Sequence, residues 1–190
     1  MIGGDGVRLH NALRDRVYVK CLSVGWAPER ERRGLLPDDP RRRPGDIFFA
    51  EWPGGQGIAL DFAITSPLQL STLEAAADSE LAAAKAYEGT KFADRATGER
   101  CREHGVRLVP MVAESLGGWG PEAQKIFKVI GRSLSGTSGA THGAVVAQLY
   151  ENLGVLVMRA AARSALVRQA DAASATLCPA VGRAETVMAP

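Results

Sequence analysis

Cysteine is scarce in this chain, with only Cys21, Cys101 and Cys178 among 190 residues. Their odd number, wide spacing and lack of a C-x-x-C pair argue against both a disulfide framework and a zinc site, and so for a reducing compartment. Apolar runs of bilayer length are missing too, and no basic start followed by an apolar stretch marks a signal peptide. The expectation is an intracellular protein without a membrane segment. Charge of one sign is not in excess either: 23 Lys and Arg against 21 Asp and Glu leave a formal net charge of +2, too mild to announce a polyanionic partner. The three histidines are not paired with Ser or Cys in a way that suggests nucleophilic catalysis. His10 and His104 read as exposed helix residues, and His142 falls near a helix start.

What the chain does have is the make-up of a folded domain, 46% hydrophobic and 23% charged, enough to bury a core. Its charge is locally uneven. Residues 29–33 read ERERR, and Arg41, Arg42 and Arg43 stand directly before a Pro44-Gly45-Asp46 turn. Such a cluster either meets phosphate or is a solvated loop of Arg, Asp and Pro.

Periodicity gives an order of elements. Leu9, Leu13, Val17 and Cys21 recur at every fourth position and build one apolar stripe on a helix over 7–24. Residues 28–44 form a loop, with room for a short edge strand. The β-prone residues 47–50, the Pro53-Gly54-Gly55 turn and residues 57–65 predict a hairpin. In its second strand Ile58, Leu60, Phe62 and Ile64 share one face, while Ala59, Asp61, Ala63 and Thr65 share the other.

An Ala-rich helix over 71–94 follows, with Ser71 or Thr72 as its N-cap and Glu74 in its first turn. A further helical turn or two over 97–104, ended by Gly105, leads to a buried strand over 106–113. Pro121 and Glu122 start a helix to about Ile130. Residues 133–141 read as a Ser/Gly/Thr linker, and a long amphipathic helix then extends to roughly Arg168. The rest is an Ala-rich tail expected to fray.

The hairpin can bring Asp46, at the start of one strand, near Asp61, within the next. A carboxylate inside a strand costs β-propensity and, if buried, needs a partner or a metal, which favours a functional reading of Asp61. Asp46, after Pro-Gly, is equally readable as a turn former. Paired carboxylates suit a hard divalent cation, which relieves their repulsion, polarises a phosphodiester and acidifies bound water, with a nearby lysine steadying the charge that develops.

Arg43-Pro44-Gly45-Asp46, then Leu60-Asp61-Phe62-Ala63-Ile64-Thr65-Ser66, then a lysine-bearing helix, resembles the PD-(D/E)XK nuclease pattern. The closer likeness is to the endonuclease domain downstream of reverse transcriptase in non-LTR retroelements, in which the lysine has moved from the strand to the following helix. Here Ala63 stands where the ordinary family has lysine, and residues 101–130 are similar to that domain's strand, Gly/Trp turn and helix. The likeness covers roughly 10–131, with one departure in the Gly45 that separates Pro44 from Asp46.

The resemblance implies Asp46 and Asp61 as ligands of Mg²⁺ or Mn²⁺, and Lys91 or Lys85 as the catalytic lysine. Six residues apart on a helix, the two lysines lie about 120° out of line, so only one faces the site. Phe92 speaks for Lys91 and Tyr87 for Lys85. In the family an acid on the first helix or its exit is sometimes a further ligand, here Glu29 or Glu31. Arg41, Arg42 and Arg43 are the candidate DNA contacts.

The fold class expected is α/β: a small mixed sheet flanked by helices with a restriction-endonuclease-like core over 1–132, a linker and long helix over 133–168, and a flexible tail over 169–190. The function expected is Mg²⁺-dependent DNA cleavage in the nucleus by a retroelement-derived domain. The alternatives are an inactive nucleic-acid-binding remnant of a longer polyprotein and an inert α/β interaction module.

Overall fold

A computed structural model describes residues 3–177. The first helix, α1 (Gly3–Ser23), carries the expected stripe, and Leu9, Leu13, Val17 and Cys21 are all buried. Burying a side chain of this size contributes about 1.5–3 kcal/mol, so the stripe fixes which way α1 faces. A short strand, β1 (Glu29–Arg30), appears within the loop that had room for one. Next come β2 (Ile47–Phe49) and β3 (Gly57–Thr65), joined through the Pro53-Gly54-Gly55 turn.

The strand order is β1-β2-β3-β4, where β4 is Val106–Glu114. The pairings β1·β2 and β2·β3 are antiparallel, and β3·β4 is parallel with Asp61 opposite Pro110. A proline lacks the N–H for a ladder on its far side, which an edge strand such as β4 does not require. Between β3 and β4 the chain crosses over through α2 (Leu73–Asp78), α3 (Ala82–Ala93), a 3-10 turn at Asp94–Ala96 and α4 (Thr97–Glu103).

The two faces of β3 divide as its alternation requires. Ile58, Leu60 and Phe62 join α1, Val109 and Met111 of β4, and Trp119, Ile126 and Phe127 in the main core. Ala59 and Ala63 face the crossover helices, where Ala63 packs with Ala84 and Val112, and Ala59 with Cys101 and Leu108. Small residues on that face let α3 approach the sheet closely.

Three expectations are corrected. The single helix over 71–94 is broken, because Leu81 adopts a left-handed conformation (φ 58°) and starts α3 on a new axis. There Glu114 Oε1 accepts a hydrogen bond from Ala84 N at 3.0 Å, occupying a donor that the first turn leaves free. Thr72 is the N-cap of α2 by position, yet its hydroxyl donates to the Ser66 and Gln69 carbonyls.

Residues 133–138 are not linker. The fifth helix, α5 (Pro121–Ser138), runs through them, and only residues 139–141 separate it from α6 (His142–Leu177). Packing overrides the loop-like composition here: a Cβ built on Gly131 would collide with Val146, so the glycine is what lets α5 and α6 meet. Lastly, α6 continues past Arg168 to Leu177, so the first part of the expected tail is helical, and 178–190 lie outside the described residues. Leu149, Leu153 and Val157 of α6 are buried in the main core.

Candidate active site

The ladder between β2 and β3 stops at Ile47 opposite Leu60, which leaves the remaining half of β3 open along that edge. Asp46 finishes the pairing by other means. Its backbone N–H donates to Leu60 O at 2.8 Å, and its Oδ2 accepts the next free strand donor, Phe62 N, at 2.7 Å. Gly45 makes this approach possible, since a Cβ there would stand 2.8 Å from Leu60 O. Gly45 is thus what brings Asp46 against β3.

At the open edge α1 arrives from one face of the sheet and α3 from the other, flanking an open cleft of about 630 Å³. His10 and Arg14 line it from α1, Asp61 from β3, Tyr87 and Lys91 from α3, and Glu31 from the loop after β1. Lys91 Nζ lies 2.9 Å from Asp61 Oδ2, and the two side chains are 27% and 20% exposed. His10 Nε2 lies 3.1 Å from Asp46 Oδ2. Asp46, Asp61, His10 and Lys91 therefore form one cluster, and each carboxylate has a cationic or titratable partner.

The electrostatics follow from that crowding. Burial pushes the Asp61 carboxyl above its usual range and the neighbouring Asp46 adds to this, while Lys91 and, more weakly, His10 oppose it. Burial alone would lower the Lys91 ammonium, but the Asp61 carboxylate outweighs it and holds Lys91 charged to a higher pH than usual. The His10 imidazole is raised, chiefly by its hydrogen bond to Asp46, against a smaller opposing effect of burial.

The structure separates the other candidates. Lys85 is exposed on α3 and donates to Glu80 O at 2.8 Å, so of the two lysines Lys91 alone faces the cleft. Glu29 pairs with Arg32 at 2.5 Å and does not line the cleft. Glu31 lines the cleft, but Arg14 donates to its Oε1 at 3.1 Å and Arg43 donates to its Oε2. Arg42 ties the loop to the crossover through Asp94 and Thr97, with its side chain 15% exposed. Arg41 is exposed.

His10 is the residue that sequence reasoning missed. It was expected on an exposed helix surface, yet its side chain is 26% exposed and bonded to Asp46. The signal was its place one residue after Leu9, at the margin of the buried stripe, with Arg14 one turn on at the same margin. His104 is exposed, and His142 stands at the start of α6 as expected.

Comparison with protein-family models, with curated proteins and with solved structures finds no match to this chain.

Proposed function

We propose that the cleft is the active site of a divalent-metal-dependent endonuclease-like domain acting on DNA phosphodiesters, with a restriction-endonuclease-like core and a retroelement origin. The observation that carries this reading is Lys91, on the crossover helix, set 2.9 Å from the strand carboxylate Asp61 with Asp46 beside it. A helix followed by antiparallel strands, a crossover and a parallel strand is also the element order that the resemblance implies.

The residues fit a hard cation by donor type. Oδ1 of Asp46 and Oδ1 of Asp61 have no hydrogen bond among the described residues, and both are carboxylate oxygens, the donors that Mg²⁺ and Mn²⁺ take. Such an ion, when bound, acts as a Lewis acid on a phosphodiester oxygen and lowers the pKa of bound water. The protein's own part is positional and electrostatic. Asp61 contributes in its ionised form. Lys91, kept charged, offers a cation to the oxygens on which negative charge grows, and His10 holds Asp46 in place.

A supercoiled plasmid incubated with Mg²⁺ or Mn²⁺ is the test. Asp61→Ala and Lys91→Met are expected to lose about a hundredfold or more in nicking rate; equal nicking by wild type and Asp61→Ala would sink the assignment. A second reading has its own support: Asp46 already caps the open strand edge and Asp61 already has a cation, so one oxygen of each carboxylate is engaged without a metal. On that reading the domain binds nucleic acid without cutting it, and the assay returns salt-sensitive retention of DNA with no metal-dependent nicking.

A further inference from the structure

Glu31 is one of four non-glycine residues with positive φ among the described residues, at 49°, and it lines the cleft. Side chains other than Asn and Asp rarely take this conformation, and it recurs at functional loops when the surroundings hold it. Here the holding contacts are visible. Glu31 N donates to Asp46 O at 3.0 Å, and the carboxylate is bridged by two guanidiniums, Arg14 on Oε1 and Arg43 on Oε2. Arg14 is built into the wall, 13% exposed, with its Nε fixed by Asp15 Oδ1 at 3.0 Å; Arg43 is 45% exposed.

We propose that Arg14 and Arg43 form a clamp for one backbone phosphate of a nucleic acid entering the cleft, and that Glu31 occupies this clamp until a phosphate displaces it. A carboxylate whose two oxygens each accept from a different arginine presents the anion geometry of a bridging phosphate, and guanidinium recognises either. The exchange is weighted by charge and position: the Glu31 side chain is 42% exposed on a loop and borders solvent, whereas Arg14, 13% exposed, is anchored by Asp15. This makes Glu31 a counter-ion that screens the entrance and not a metal ligand. The inference rests on the nucleic-acid reading of the cleft and sharpens it to a phosphate subsite.

The test is binding of a fluorescein-labelled DNA duplex in EDTA, so that cleavage plays no part, read by anisotropy over a salt series. Glu31→Gln keeps the side-chain shape and removes the competing charge. It is expected to bind about tenfold tighter at low salt, with a salt slope steeper by about 1–2. Arg43→Ala, at an exposed position, is expected to weaken binding and to cancel that gain when combined with Glu31→Gln. Tighter binding by Glu31→Gln that persists in the Arg43→Ala background overturns the clamp. Unchanged binding by Glu31→Gln, with an unaltered thermal melt, overturns the clamp and leaves the nuclease reading intact. No retention of duplex by either protein at low salt overturns both.

Discussion

Replacing Lys91 with Met keeps the apolar stem of the side chain and deletes its ammonium, which leaves the Asp61 carboxylate at the cleft wall with no cation at 2.9 Å. Removing one partner of a fully buried pair costs about 3–5 kcal/mol, while exposed pairs contribute about 0–1 kcal/mol. With side chains 27% and 20% exposed, this pair falls between, at about 1–2 kcal/mol. For a chain of this size that lowers Tm by about 2–8 °C.

The deficit is tied to ionised Asp61, and the sign follows. Asp61 already has a folded-state pKa above its usual 3.8, and without Lys91 it rises further. A raised carboxyl costs stability once it ionises, so its favourable share is complete below the unfolded value and is lost as pH rises through the folded one. Urea denaturation of Lys91→Met is therefore expected to show the full deficit near neutral pH and to converge on wild type as pH falls toward about 4. Asp61→Asn removes the charge in question, so adding Lys91→Met to it is expected to cost under about 0.5 kcal/mol. A deficit that is equal at every pH, or that survives intact in the Asp61→Asn background, refutes the electrostatic reasoning and leaves Lys91 as a packing residue.

Two further outcomes follow from the same geometry. Gly45→Ala forces a Cβ to 2.8 Å from Leu60 O, so Asp46 is expected to withdraw from Phe62 N, with about 1–3 kcal/mol lost in chemical denaturation and nicking reduced alongside it. His10→Gln tests the Asp46 contact by pH: a histidine raised above 6.5 by its carboxylate stabilises fully below 6.5 and loses that share as pH rises through its folded value. The stability gap between wild type and variant is expected to be widest near pH 6 and to narrow toward about pH 8, measured by urea titration.

Asp61 was legible because strand alternation alone puts it on the small-residue face, and a carboxylate there requires an explanation. Lys91 was half legible: helix geometry says that Lys85 and Lys91 cannot both face the sheet, but choosing needs the rotation of α3. That rotation is set by the left-handed Leu81 and by Glu114 bonding Ala84 N from a strand 30 residues away in sequence. The short linker was misjudged for a similar reason, since Ser, Gly and Thr over 133–138 disfavour a helix in isolation and α6 supplies the packing that outweighs them. His10 shows the same limit at the site itself. Its role depends on where β2 ends, and the end of a three-residue strand is invisible to periodicity.

The burial of Leu149, Leu153 and Val157 of α6 among Leu9, Val17, Ile126 and Phe127 bears on where this unit can be cut. The residues that line the cleft all lie before α6 begins, yet a fragment trimmed near Gly131 exposes one wall of its core to water. Stripped of three large aliphatic side chains worth about 1.5–3 kcal/mol each, it is left with little of the 5–15 kcal/mol that holds a domain together. Any transplant of this module into another chain, by an engineer or by recombination, has to carry α6 at least through Val157.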